Sequence, residues 1–196
     1  MNTSHRYFVT GTGTGIGKTI ISAILCKKFN CQYFKPIQSG SILGNDVDFI
    51  KRFNIKIIDS KYNFRAPFSP NIAAKKSNEK IDINEIKILE NINLIVEGAG
   101  GVFVPINEEF LMIDLIKKLN LEVIVVTKSG LGMINHTLLT IFALQKYQIS
   151  IKGIIVNGLI CEDEIESILQ FCDIKIIARV PYIDKNFDFS GIEINL

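Results

Sequence analysis

Tryptophan is absent from the 196-residue sequence, histidine occurs twice and cysteine four times. The cysteines Cys26, Cys31, Cys161 and Cys172 form no C-x-x-C pair, and no histidine stands at ligand spacing from them, which excludes the common zinc patterns. They are too few for a disulfide framework and read as buried thiols in a reducing compartment. Neither sign of charge dominates: 22 basic and 20 acidic residues leave a net charge of +2, which excludes bulk electrostatic attraction to nucleic acid. No apolar run reaches the ~18 to 20 residues of a membrane helix. The first six residues are polar, so no secretory signal is expected. Repeats, low-complexity tracts and linkers are also missing. The expectation is one soluble, cytoplasmic domain over 1–196, with neither nucleic acid nor membrane as partner. Heavy use of Ile, Lys and Asn is a compositional bias without functional content.

Hydrophobic residues make up 47% and charged residues 21%, the balance of a chain with a full core. Short apolar runs at 6–10, 32–35, 94–97, 122–127, 153–157 and 175–180 read as strands. Amphipathic stretches at 20–28, 46–53, 82–90, 110–119, 135–147 and 162–171 read as helices. Continuous apolar strands alternating with helices predict an α/β fold, a parallel or mostly parallel sheet with helices on both faces. In such sheets ligands bind beyond the carboxyl ends of the strands.

The first strand runs into Gly11-Thr12-Gly13-Thr14-Gly15-Ile16-Gly17-Lys18-Thr19, and a helix follows. That context is the one a phosphate loop requires. Glycines let backbone N–H groups turn toward phosphate oxygens, and the helix N-terminus adds partial positive charge. Lys18 reaches terminal phosphates and the Thr19 hydroxyl can ligate Mg2+. The loop departs from G-x-x-x-x-G-K-[ST], because Thr12 holds the first Gly position.

Polar residues follow the other strands. Lys35 precedes Pro36 at the end of the second, as a ligand-edge cation or a solvated lysine. Asp46 and Asp48 stand at a helix start, as caps or metal ligands. Glu97 ends a buried strand before four small residues, placed to hold Mg2+ or to pair with a lysine. Residues 128–137 form a Gly-containing loop feeding a helix, either an anion site or an ordinary loop. Asn157 can read a base edge or cap a turn. His5 reads as an exposed terminal residue, and His136 as a packing or capping residue.

Together the segments VTGTGTGIGKT, KPIQSG (35–40), APFSPNIAA (66–74), VEGAGG (96–101) and GLGMINHTLLT (130–140) resemble the dethiobiotin synthetase family over nearly the whole chain. The resemblance implies a P-loop ligase that binds ATP and Mg2+. Gly15, Ile16, Gly17, Lys18, Thr19 and Ile20 would wrap the phosphates. Lys35 would be the catalytic lysine, assisted by Lys18. Ser39 and Thr14 would meet the substrate. Thr19, Asp46 and Glu97 would form the metal site, with Asp46 preferred to Asp48. Glu97, Gly98, Ala99 and Gly100 would border the nucleotide. Asn157 would read adenine, and Val180, Pro181 and Tyr182 would wall the purine pocket. The family is homodimeric, and Gly132, Met133, Ile134 and Asn135 would hold the substrate carboxylate across the interface. Two departures stand out: Gly13 and Gly15 replace acidic residues found in many members, and the C-terminal part is short.

The implied reaction joins diaminopelargonate and CO2 into dethiobiotin, turning ATP to ADP and phosphate through a carbamate and a carbamic-phosphoric anhydride. Such chemistry needs fixed positive charge rather than a strong base, and Lys18, Lys35 and Mg2+ meet that need. The competing reading is a partitioning or cell-division ATPase switch on a related fold. Its signature second loop lysine is Gly13 here. A glutamine-dependent ligase would need a further domain for which 196 residues leave no room.

Overall fold

The computed structural model describes residues 5–42, 44–183 and 189–196. The strands and helices run β1 (Arg6–Gly11), α1 (Lys18–Phe29), β2 (Gln32–Phe34), β3 (Ile37–Ser39), α2 (Asp46–Lys51), β4 (Ile57–Ile58) and β5 (Tyr62–Phe64). Then come α3 (Pro70–Lys76), β6 (Leu94–Gly101), α4 (Met112–Leu119), β7 (Glu122–Lys128), α5 (Met133–Lys146), β8 (Ile151–Asn157), α6 (Glu162–Leu169) and β9 (Ile176–Val180). Seven strands form one sheet in the order β4-β2-β6-β1-β7-β8-β9, and β3 pairs with β5 separately. Every described strand pair is parallel.

Alternation within the strands explains why both sheet faces are dry. In β1, Phe8 points into one core with Val96, Met112 and Ile116, while Tyr7 and Val9 point into the other with Ile21, Ile24 and Ile95. The chain leaves β1 toward β2 on one side and returns from β6 to β7 on the other, so the order reverses at β1. That reversal opens a crevice at the carboxyl end of β1, where the Gly-rich loop lies.

One expected helix is not formed. Residues 82–90 hold only a single 3-10 turn, Ile83–Glu85, after which Ile86 is extended. The Asp82 side chain caps Asn84 N, and Lys118 Nζ donates to the carbonyl oxygens of Ile83 and Ile86. The Ile83 carbonyl thus closes the turn with Ile86 N at 3.2 Å and also accepts from Lys118, Ile86 itself is extended, and the β-branched Ile83 and Ile86 are buried. Strands β3, β4 and β5 and helix α3 have no counterpart in the sequence pattern. Cys161 is exposed, unlike the other three thiols, since it begins α6 at the surface. His5 is half-buried, its ring 4.5 Å from that of Phe29.

Candidate active site

Helix α1 starts with Gly17 in the left-handed region at φ 95°, with no side-chain cap and no acidic residue in its first turn. Its leading N–H groups are therefore left for an acidic ligand from outside. Gly15 is left-handed as well, at φ 72°. A Cβ on Gly17 would lie 2.1 Å from Asn157 Nδ2. Asn157 itself donates to the Ile16 carbonyl at 2.8 Å, which ties the end of β8 to the loop. By contrast, a Cβ on Gly13 would meet open space, so the fold does not require glycine there.

Lys18 folds back over the loop and donates to Gly13 O at 2.8 Å. Burial pulls its pKa down to about 8, against the opposing pull of Glu97. A desolvated ammonium of this kind gains most when a phosphate arrives.

Four side chains, from α1, α2, β6 and the connection after β2, meet beside it. Thr19 Oγ1 lies 2.7 Å from Asp46 Oδ1 and 3.0 Å from Glu97 Oε1. Lys35 Nζ lies 2.5 Å from Asp46 Oδ2 and 2.9 Å from Glu97 Oε1. One hydroxyl proton cannot serve two carboxylates at once, and one directly bonded ammonium does not balance both. The cluster has room for further positive charge. Its hydroxyl and carboxylate oxygens are the hard donors that suit Mg2+, which takes one or two carboxylates with phosphate and water. Burial lowers the Lys35 pKa, but Glu97 and Asp46 outweigh it, so Lys35 stays charged. Burial likewise raises that of Asp46, but Lys35 and Thr19 outweigh it and the net direction is down. Tyr33 OH donates to Glu97 Oε2 at 3.1 Å, and burial, then Glu97, hold its proton well above the usual phenol range.

Local sequence explains these placements. Pro36 ends β2 and sends Lys35 to the strand edge. Asn45 caps α2 by accepting from Val47 N at 3.0 Å, which sets Asp46 as the first helical residue, facing α1. Asp48 pairs instead with Lys51 at 3.3 Å on the surface, so the structure brings Asp46 and not Asp48 to the cluster.

A cavity of about 700 Å³ opens over this cluster. It gathers Thr14, Gly15, Gly17, Lys18, Thr19, Lys35, Ser39, Asp46, Glu97, Ala99 and Gly100 from the expected set. The Ser39 hydroxyl is buried there with no hydrogen-bond partner among the described residues. Pro67, Phe68 and Pro70, with Val104, add an apolar wall. The first three belong to a segment singled out by resemblance, whereas Val104 carries no sequence signal. A second cavity of about 590 Å³ shares Gly17, Thr19 and Asp46 and includes Ile20.

Other expected residues stand elsewhere. Gly98 does not line the cavity: a Cβ there would lie 2.8 Å from the Phe8 ring, so its small size serves packing. Val180 pairs with Asn157 in the sheet, but its side chain is fully buried in the core and cannot wall an open pocket. Pro181 and Tyr182 beyond it are exposed. Gly132, Met133, Ile134 and Asn135 begin α5 outside the cavity, and Met133 is buried. His136 is exposed.

A family model described as an AAA domain matches residues 5–186. The ATP-dependent dethiobiotin synthetase BioD of Lawsonia intracellularis is 44% identical over 179 residues, covering 91% of this chain and 88% of its own. That of Methanococcus vannielii is 42% identical over 207 residues, covering 95% and 90%. Among solved structures, the MinC:MinD cell division protein complex of Aquifex aeolicus aligns at TM-score 0.60 and 17% identity over 95% of this chain and 85% of its own. The chloroplast FtsY of Physcomitrella patens aligns at TM-score 0.52 and 12% identity, and this chain spans 62% of its length. Identities this low show a shared fold and nothing more.

Proposed function

The chain belongs to the family of ATP-dependent dethiobiotin synthetases, and from that premise we propose how its residues divide the work. It is an ATP- and Mg2+-using ligase that forms carbon–nitrogen bonds in biotin biosynthesis. A partitioning switch on the same fold is not favoured, because its representatives share fold alone with this chain.

One observation carries the division of roles: Thr19, Lys35, Asp46 and Glu97 converge beside the phosphate loop at the floor of one cavity. One amine of diaminopelargonate adds to CO2 and loses a proton, giving a carbamate. A carbamate oxygen takes the γ-phosphoryl group and ADP leaves. The second amine attacks the carbamoyl carbon, closes the ring and expels phosphate. Each step gathers negative charge beside a polyphosphate. Lys18 and the α1 N-terminus hold the phosphates, and Lys35, kept charged, stabilises the anionic oxygens in transit. Thr19, Asp46 and Glu97 would hold Mg2+, which supplies charge neutralisation when bound. Ser39 and Thr14 orient the diamine, and Asn157 with Pro181 and Tyr182 receives the purine.

The functional unit is a homodimer. Supporting this, Leu131 is fully exposed, and Leu139 and Phe142 are 59% and 46% exposed on one face of α5. A second copy covering that face would receive the substrate carboxylate at Gly132 to Asn135. Four free cysteines suit a cytoplasmic setting, and no described helix is long and apolar enough to cross a membrane.

The test is ADP release with MgATP and bicarbonate, with and without diaminopelargonate. Diamine-dependent release is expected. Release independent of the diamine would favour the switch. Light scattering of the wild type against Phe142→Glu tests the dimer, which the charge should split.

A further inference from the structure

Tyr33 plays no part in the chemistry above, yet it is bonded to its centre. In the parallel register of β2 against β6, Tyr33 lies opposite Ile95. Glu97 is two residues further on and shares that face, so the phenol reaches diagonally across to it under α1. Tyr33 is fully buried, and Glu97 is 1% exposed. Among the described residues, Glu97 Oε1 receives Thr19 and Lys35, while Oε2 receives Tyr33 alone. A phenylalanine would fill the same space without burying a hydroxyl, so the hydroxyl is accounted for by its acceptor. The terminal torsion of a glutamate is broad and about two-fold, and only a bond to each oxygen fixes the carboxylate plane.

We propose that Tyr33 is a positioning residue that locks the Glu97 carboxylate, holding one oxygen toward Thr19 and Lys35 for the metal. This rests on the reading of Glu97 as a magnesium ligand. Loss of the phenol would leave Oε2 without a donor, and the carboxylate would turn away from the ligand direction. Outer-sphere partners of this kind set metal affinity by about 10- to 100-fold.

The experiment measures Mn2+ binding, as a paramagnetic probe, by electron paramagnetic resonance in the presence of ADP. Tyr33→Phe is expected to weaken Mn2+ binding about tenfold or more. Metal-free ADP affinity should stay unchanged, and turnover should recover at raised Mg2+. Mn2+ affinity within about twofold of wild type, a difference too small for a lost outer-sphere bond, overturns the proposal. Glu97→Gln, measured alongside, should lose Mn2+. If it binds Mn2+ as wild type does, the metal reading of Glu97 fails and this proposal with it. Should Tyr33→Phe not fold by circular dichroism, Tyr33→Met removes the same hydroxyl and is read the same way.

Discussion

Lys35 Nζ stands 2.5 Å from Asp46 Oδ2, a charge-assisted bond between residues eleven apart in sequence. The lysine proposed for catalysis thus pairs with a carboxylate proposed for the metal. The carboxylates that would hold Mg2+ with Thr19 are the same ones that bond Lys35.

Lys35→Ala should therefore act twice. Turnover should fall by about 2 to 4 kcal/mol of transition-state stabilisation, as for loss of one electrostatic donor. The nucleotide-free protein should also melt lower, because Asp46 and Glu97 lose their partner in a buried site. Steady-state rates and melts with and without Mg2+ check both, and wild-type turnover would sink the catalytic assignment.

Lys18 carries a stability cost in the free protein. Its folded pKa, lowered to about 8, lies below its ordinary 10.5. Between those values the unfolded chain binds the proton more tightly, so stability rises with pH through that window; below it the full cost remains. Lys18→Met should remove up to about 3 kcal/mol of that cost at pH 7 and abolish the pH-dependent gain. It should also lose stabilisation by ATP. Melts from pH 7 to 10.5 with and without nucleotide decide this.

Gly17→Ala should be severe. The added Cβ meets Asn157 Nδ2, and φ 95° is left-handed. Nucleotide binding by calorimetry should vanish, with a stability loss of about 1 to 3 kcal/mol. Adding Asn157→Ala removes the clash but not the strain, so rescue should be partial. Gly13→Ala, facing open space, is the control that should melt as wild type does.

Glu164 ties the loop before α5. Its Oε2 accepts from Ser129 Oγ at 2.5 Å and Gly130 N at 3.2 Å. If that loop presents α5 to the substrate, Glu164→Ala should raise the KM for diaminopelargonate several-fold and leave the KM for ATP unchanged. Glu164→Gln keeps an acceptor and should restore most of it. Equal changes in both KM values would mean the loop only stabilises the fold.

The phosphate loop, the parallel α/β class and the family could be read from the sequence. Each rests on short-range information: a run of glycines ending in Gly17-Lys18-Thr19, apolar runs of strand length, and segments such as KPIQSG. The 82–90 helix was misread for the same reason, since the Ile83 and Ile86 carbonyls accept from Lys118, over thirty residues away. The preference for Asp46 over Asp48 was open to the sequence and the structure agrees with it, whereas the bond from Tyr33 to Glu97, the wall at Val104 and the burial of Val180 belonged to tertiary structure alone. Contacts in the cluster beside the phosphate loop join residues 11 to 78 positions apart, as in Lys35 with Asp46 and Thr19 with Glu97. Helix and strand periods state which face of an element is buried. Only the crossing of α1 over β2 and β6 decides which side chains meet there.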